Sequence, residues 1–99
     1  TTESGPDIRR MKRPPTHPGE MLQEEFLAPL GLTLAEAARR MRMSTNRVNE
    51  LVRGKRGVTA ETALRLAQFL GTSPEFWLNL QMAFDLWHAV QAARRRGAA

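Results

Sequence analysis

Ninety-nine residues bound the chain to one small domain, and the absence of cysteine excludes both a disulfide framework and a thiolate metal site. Hydrophobic content is an ordinary 41%, no run reaches the ~18 apolar residues that cross a bilayer, and the polar N-terminus lacks a signal-peptide pattern. The expectation is a cytoplasmic protein with no membrane partner. Its net charge of +5 is unevenly spread: seven bases and one acid, Glu50, fall between Arg39 and Arg56, whereas Glu20, Glu24, Glu25 and Glu36 have no Lys or Arg among them between Pro14 and Ala38. One side of the fold is therefore expected to attract phosphate and another to repel it.

Residues 1–16 carry Gly, Pro and charge with only isolated apolar side chains, too little to offset ordering entropy, and are expected to form a flexible arm. Arg9, Arg10, Lys12 and Arg13 in that arm would either touch a nucleic-acid backbone or do nothing specific. A first helix starts at Pro18, which suits the first helical position, with His17 as a cap and Glu20 placed to reach back to a free N–H. Met21, Leu22 and Phe26 face inward, and Pro29 and Gly31 end the helix. A second helix follows Thr33, whose spacing to Glu36 is that of a capping box, and runs to about Met41. Ser44 caps a third, which ends at Gly54. The loop Gly54-Lys55-Arg56-Gly57 combines turn-forming glycines with two cations. A fourth begins after Thr59 and ends at Gly71, with Ala63, Leu66, Ala67 and Leu70 on one face. Ser73 and Pro74 open the fifth and longest, expected to reach about Arg94, where Arg94, Arg95 and Arg96 complement its dipole.

The segment from Leu34 to Arg56 is the informative one. Small or apolar Ala37, Ala38, Met41, Met43, Val48 and Leu51 stand where two crossing helices touch, which is the pattern of a helix-turn-helix. If Val48 and Leu51 point into the core, Thr45, Asn46, Asn49 and Glu50 point out. Asn can pair with adenine, Thr can bond a base or touch a thymine methyl, and Glu can accept from cytosine. Arg47, Arg53, Lys55 and Arg56, with Arg42 in the turn, are candidate phosphate contacts, together with the free N–H groups opening the second helix.

The fifth helix is apolar on two sides. Phe76, Leu80, Phe84 and Trp87 form one stripe and Leu78, Met82, Leu86 and Ala89 another, leaving Gln81, Asp85 and His88 as the polar side. A small helical core needs one stripe, so the second is expected to pack against a second copy in a two-fold dimer. An enzyme is not expected: Ser4, Ser44 and Ser73 fall in the leader or at caps, and His17 and His88 stand alone without a carboxylate pattern. No catalytic residues, cofactor or metal are expected.

Five stretches carry a resemblance: Thr16-His17-Pro18-Gly19-Glu20, Leu30-Gly31-Leu32-Thr33, Arg47 through Gly54, Thr59 through Ala67, and Gly71-Thr72-Ser73-Pro74-Glu75-Phe76-Trp77-Leu78-Asn79-Leu80-Gln81. Across roughly Pro14 to His88 the chain closely resembles HigA-type antitoxins, members of the repressor-like (XRE) helix-turn-helix class. The resemblance implies an all-α, compact five-helix domain over 17–94, including a C-terminal dimerisation helix, between the flexible arm and a frayed tail at 95–99. It further implies a homodimer that binds a double-stranded operator, an imperfect palindrome, in its own promoter and neutralises a RelE/HigB-like mRNA endonuclease toxin. Such toxins are basic, so Glu20, Glu24 and Glu25, with Glu36, are the expected toxin-facing acids. In this family the turn usually carries Gly where this chain has Arg42. Arg42 is expected either to adopt the left-handed conformation at a cost near ~1 kcal/mol or to force another turn. Alternatives with no toxin also fit the residues: a stand-alone repressor, or an interaction module that has lost DNA binding.

Overall fold

The computed structural model describes residues 8–97, and these hold helices, turns and irregular links with no strand among them. The expected arm's first residues, 1–7, and the tail's last two, 98 and 99, lie outside the described residues. Helix α1 spans 18–30 and is composite: α-helical at Pro18–Leu22, π-helical at Gln23–Leu27, α-helical again at Ala28–Leu30. Then come α2 (Leu34–Met41), α3 (Thr45–Val52), α4 (Ala60–Leu70) and α5 (Pro74–Arg95).

Short polar side chains start α2 to α5. Thr33 Oγ1 accepts from the Glu36 N–H at 3.1 Å while the Glu36 carboxylate accepts from the Thr33 N–H at 2.8 Å, a closed capping box. Ser44, Thr59 and Ser73 accept from the N–H three residues on, at 3.1, 3.3 and 3.1 Å. At α1 the cap is the imidazole: His17 Nδ1 accepts from the Gly19 N–H at 2.9 Å, and Glu20, expected to help, is exposed instead. Each such cap is worth about 1 kcal/mol.

One expectation for α1 needs correction. Pro29 does not stop the helix; it lies inside the last turn, and Gly31 at φ 68° ends it. A proline ring collides with the carbonyl four residues back and offers no N–H. The π turn just before it, with the Ala28 N–H bonded to the Gln23 carbonyl five residues back, shifts that ladder and lets the helix continue. Phe26 faces inward as expected, half-buried with its ring centroid 5.5 Å from that of Trp77, and the fully buried Leu27 anchors the helix beside it.

Trp77 is the centre of the core, wholly buried among Leu22, Leu27, Val48, Leu51, Ala63 and Leu66, its indole N–H donated to Thr72 Oγ1 at 2.7 Å. The side chain that α5 buries outright therefore lies outside both expected stripes. On the expected polar side of α5, Asp85 and His88 are exposed, whereas Gln81 is half-buried and its Oε1 accepts from the Val58 N–H at 2.7 Å, fastening the loop after α3.

The chain ahead of α1 lies along α5. Ile8–Arg10 make one tight turn, the Trp87 indole donates to the Met11 carbonyl at 2.7 Å, and an Arg94 guanidinium N–H donates to the Arg9 carbonyl at 3.1 Å. Within the expected arm, Arg9 and Met11 thus have partners on α5.

Candidate nucleic-acid interface

Helices α2 and α3 pack through Ala37, Ala38, Met41, Val48 and Leu51, all buried. With 3.6 residues per turn, burying Val48 and Leu51 sets the rotation of α3. Thr45 and Asn46 stand exposed, Arg53 at the C-cap is exposed, and Asn49 and Glu50 are half-buried at the edges of the same face.

The other end of α3 is fixed by backbone contact. Gly19 in the first turn of α1 lies so close to α3 that a Cβ there would overlap the Leu51 carbonyl. Only glycine permits this approach, which seats α1 on α3 without intervening side chains. After Val52 the chain reverses: Gly54 takes φ 74°, its N–H reaches the Leu51 carbonyl at 3.0 Å, and the Lys55 N–H reaches the Glu50 carbonyl at 2.8 Å. This Schellman-like stop turns Arg56 back over α3. Arg56 donates from Nε at 3.0 Å and from its terminal nitrogen at 2.7 Å, both to Glu50 Oε1. Two residues expected to act separately, one on bases and one on phosphate, are thus a pair.

Arg42 takes the first of its two expected conformations, left-handed at φ 58° and ψ 44°. What sequence reasoning did not find is the support beneath it. Arg65 of α4 donates to the carbonyls of Met41 and Arg42 at 2.9 and 3.1 Å, and Glu61 holds the same guanidinium at 2.9 Å. The α2–α3 turn is therefore capped by a side chain from another helix. The Arg65 hydrogen bond, then its charge, keeps the Glu61 carboxyl below the usual carboxylate range, and the charge of Arg47 adds to this. Arg47 is half-buried with its Nε enclosed and unpaired; it sits beside α4 rather than on the open face with Asn46. Lys55 and Arg42 are exposed.

On α1, Glu20, Glu24 and Glu25 are exposed around a shallow hollow of about 310 Å³ that Thr16 and Met21 complete. Glu36 is engaged in its capping box, and the Thr33 backbone N–H bond, then the Thr33 hydroxyl, hold its carboxyl below the usual range. On α5, Met82 and Leu86 are 59% and 44% exposed and Ala89 is exposed, whereas Leu78 is half-buried against the core. Among the described residues no group of three or more His, Cys, Asp or Glu side chains could hold a metal, and no helix is long and apolar enough to cross a membrane.

Two short crossed helices, the second capped, rotated by its buried residues and flanked by cations, define a helix-turn-helix protein, and the family model described as Helix-turn-helix matches residues 23–77. Among curated relatives, antitoxin HigA-1 of Vibrio cholerae is 49% identical over 81 residues, covering 81% of this chain and 75% of its own length. The Pseudomonas aeruginosa antitoxin HigA, solved with the higBA promoter, superposes with a TM-score of 0.79 at 40% identity, over 83% of this chain and 89% of that one. Antitoxin GraA in complex with its operator gives 0.77 at 46% identity, over 88% and 90%. The chain belongs to the HigA-type antitoxin family, which is a family of helix-turn-helix regulators and not a known enzyme class.

Proposed function

We propose that this protein is a DNA-binding antitoxin: a two-fold dimer that occupies an operator in its own promoter and neutralises a RelE/HigB-like mRNA endonuclease. The observation that carries the reading is the outward face of α3, where Thr45 and Asn46 are open and Asn49 and Glu50 stand at the margin. Relatives at 40 and 46% identity solved on their own promoter or operator DNA support it. In this reading the N-terminal half of α3 enters a major groove about 12 Å wide, Thr45, Asn46, Asn49 and Glu50 meet base edges, and Arg42, Arg53 and Lys55 meet phosphates. Arg47 contributes charge from the flank. Met82, Leu86 and Ala89, with the edge of Leu78, meet their copies across the two-fold axis and set the recognition helices about 34 Å apart, one turn of DNA. The exposed acids Glu20, Glu24 and Glu25 face the toxin.

Two measurements test this together. The chain, coexpressed with the product of the adjacent reading frame, is expected to copurify with it and to shift its own promoter fragment in a gel. Failure to copurify favours a stand-alone repressor; failure to shift removes the DNA role. Asn49→Ala is expected to cost about 1–3 kcal/mol and relax preference at one base pair, whereas equal weakening on every operator variant would mean that Asn49 reads no sequence.

A further inference from the structure

We propose that Arg56 is a positioning residue for sequence reading: it holds the Glu50 carboxylate so that its free oxygen accepts from the exocyclic amine of a cytosine, and it is not a phosphate clamp. The inference rests on the proposed DNA reading of α3.

The geometry is specific. The reversal at Gly54 brings Arg56 back across the last turn of α3, and Nε and the terminal nitrogen both donate to Oε1 of Glu50. Oε2 has no hydrogen-bond partner among the described residues. Both donors converge on one oxygen, so the guanidinium occupies Oε1 and leaves Oε2 as the acceptor still open. Glu50 lies one helical turn after the exposed Asn46, on the same side of α3. The major-groove edge of cytosine presents the matching donor.

Charge gives a second argument. Glu50 is the only acid between Arg39 and Arg56. A bare carboxylate on the face that approaches DNA is repelled by the phosphates on both sides of the groove. Paired with Arg56 the unit is neutral, so Glu50 can approach a base without that repulsion. Arg56, in turn, has its charge committed to the protein and has little left to displace counterions from DNA. The pair is open to solvent, with side-chain exposures of 45% for Arg56 and 34% for Glu50, so its worth to folding is small and its loss leaves the domain folded.

The test is selection from a duplex library randomised across one dimer footprint, with the wild-type chain, Arg56→Gln, Arg56→Lys, Glu50→Gln and the double variant Glu50→Gln/Arg56→Gln, each checked for an unchanged thermal transition. Salt dependence is measured on the best wild-type duplex. The wild type is expected to prefer cytosine at one position of each half-site by about tenfold. Glu50→Gln and Arg56→Gln both flatten that one position to near unity, and the double variant is no flatter than Glu50→Gln alone. Arg56→Lys, which keeps the charge but loses the fork, flattens it in part. The salt slope of Arg56→Gln matches the wild type. The proposal is overturned if Arg56→Gln keeps the base preference; a slope lower by about one unit would then mark Arg56 as a phosphate contact. It is equally overturned if Glu50→Gln alters no position. A wild-type chain that selects no duplex at all refutes the DNA reading itself, and the positioning role falls with it.

Discussion

His17 shows how one side chain links acidity to the fold. Its Nδ1 must be unprotonated to accept the Gly19 N–H, and its ring lies edge-on to Phe84 at 4.8 Å. Burial pushes its pKa below the ordinary 6.5, against the opposing pull of Asp85 and Glu20. The unfolded chain therefore takes up this proton at a higher pH than the folded one. The stabilisation is complete above 6.5 and is lost as pH falls below that value. His17→Asn keeps a capping oxygen that does not titrate. Melting temperatures measured between neutral and mildly acidic pH are expected to fall more for wild type than for this variant, and parallel curves would remove His17 as the cause. Arg42 carries a different trade. At φ 58° it has a strain that glycine lacks, so Arg42→Gly is expected to gain up to about 1 kcal/mol, a rise of several degrees, while losing the phosphate contact proposed for Arg42. A variant no more stable than wild type would mean that Arg65 already offsets the strain.

Among the elements, α5 is the one proposed to carry the assembly. It spends Trp77 on the core, Gln81 on the loop after α3 and Trp87 on the N-terminal segment, yet leaves Met82 and Leu86 in solvent. Replacing both by Glu is expected to yield a monomer in light scattering and to weaken operator binding, because one half-site then binds alone. A dimer that persists would move the interface elsewhere. Elements also differ in how far they could be read from the chain alone. The starts of α2 to α5 were legible because a cap and the N–H it bonds are three residues apart, a purely local rule. The support of the α2–α3 turn by Arg65 spans 24 residues and the Gln81 anchor spans 23, so neither has a local signature. Gln81 reads in the sequence as one of three residues on a polar side, so nothing local marks it as an anchor. The π turn in α1 arises because packing keeps Pro29 within a helix that propensity alone would end.

At the scale of the whole molecule, the uneven charge is the property most directly read from sequence, and the fold keeps it uneven. Arg53, Lys55 and Arg42 are exposed around the α3 face, while Glu20, Glu24 and Glu25 are exposed on α1. The candidate site was thus legible as a set of residues but not as a set of partnerships: the Glu50–Arg56 pair and the inward lean of Arg47 depend on a chain reversal and on a neighbouring helix. Arg53→Ala is expected to lower the salt slope of operator binding by about one unit without changing the preferred sequence. An unchanged slope would take Arg53 off the phosphate face.

The placement of the two indoles makes the protein its own spectroscopic probe. With no tyrosine in the chain, near-ultraviolet emission comes from Trp77 and Trp87 almost alone. Trp77 is sealed in the interior and Trp87 is half-buried over the segment before α1, so quenchers in solution reach the second far more readily than the first. Substituting Trp87 with Phe leaves a single buried fluorophore whose red shift times the collapse of the core, while the difference between the two proteins follows detachment of the leading segment.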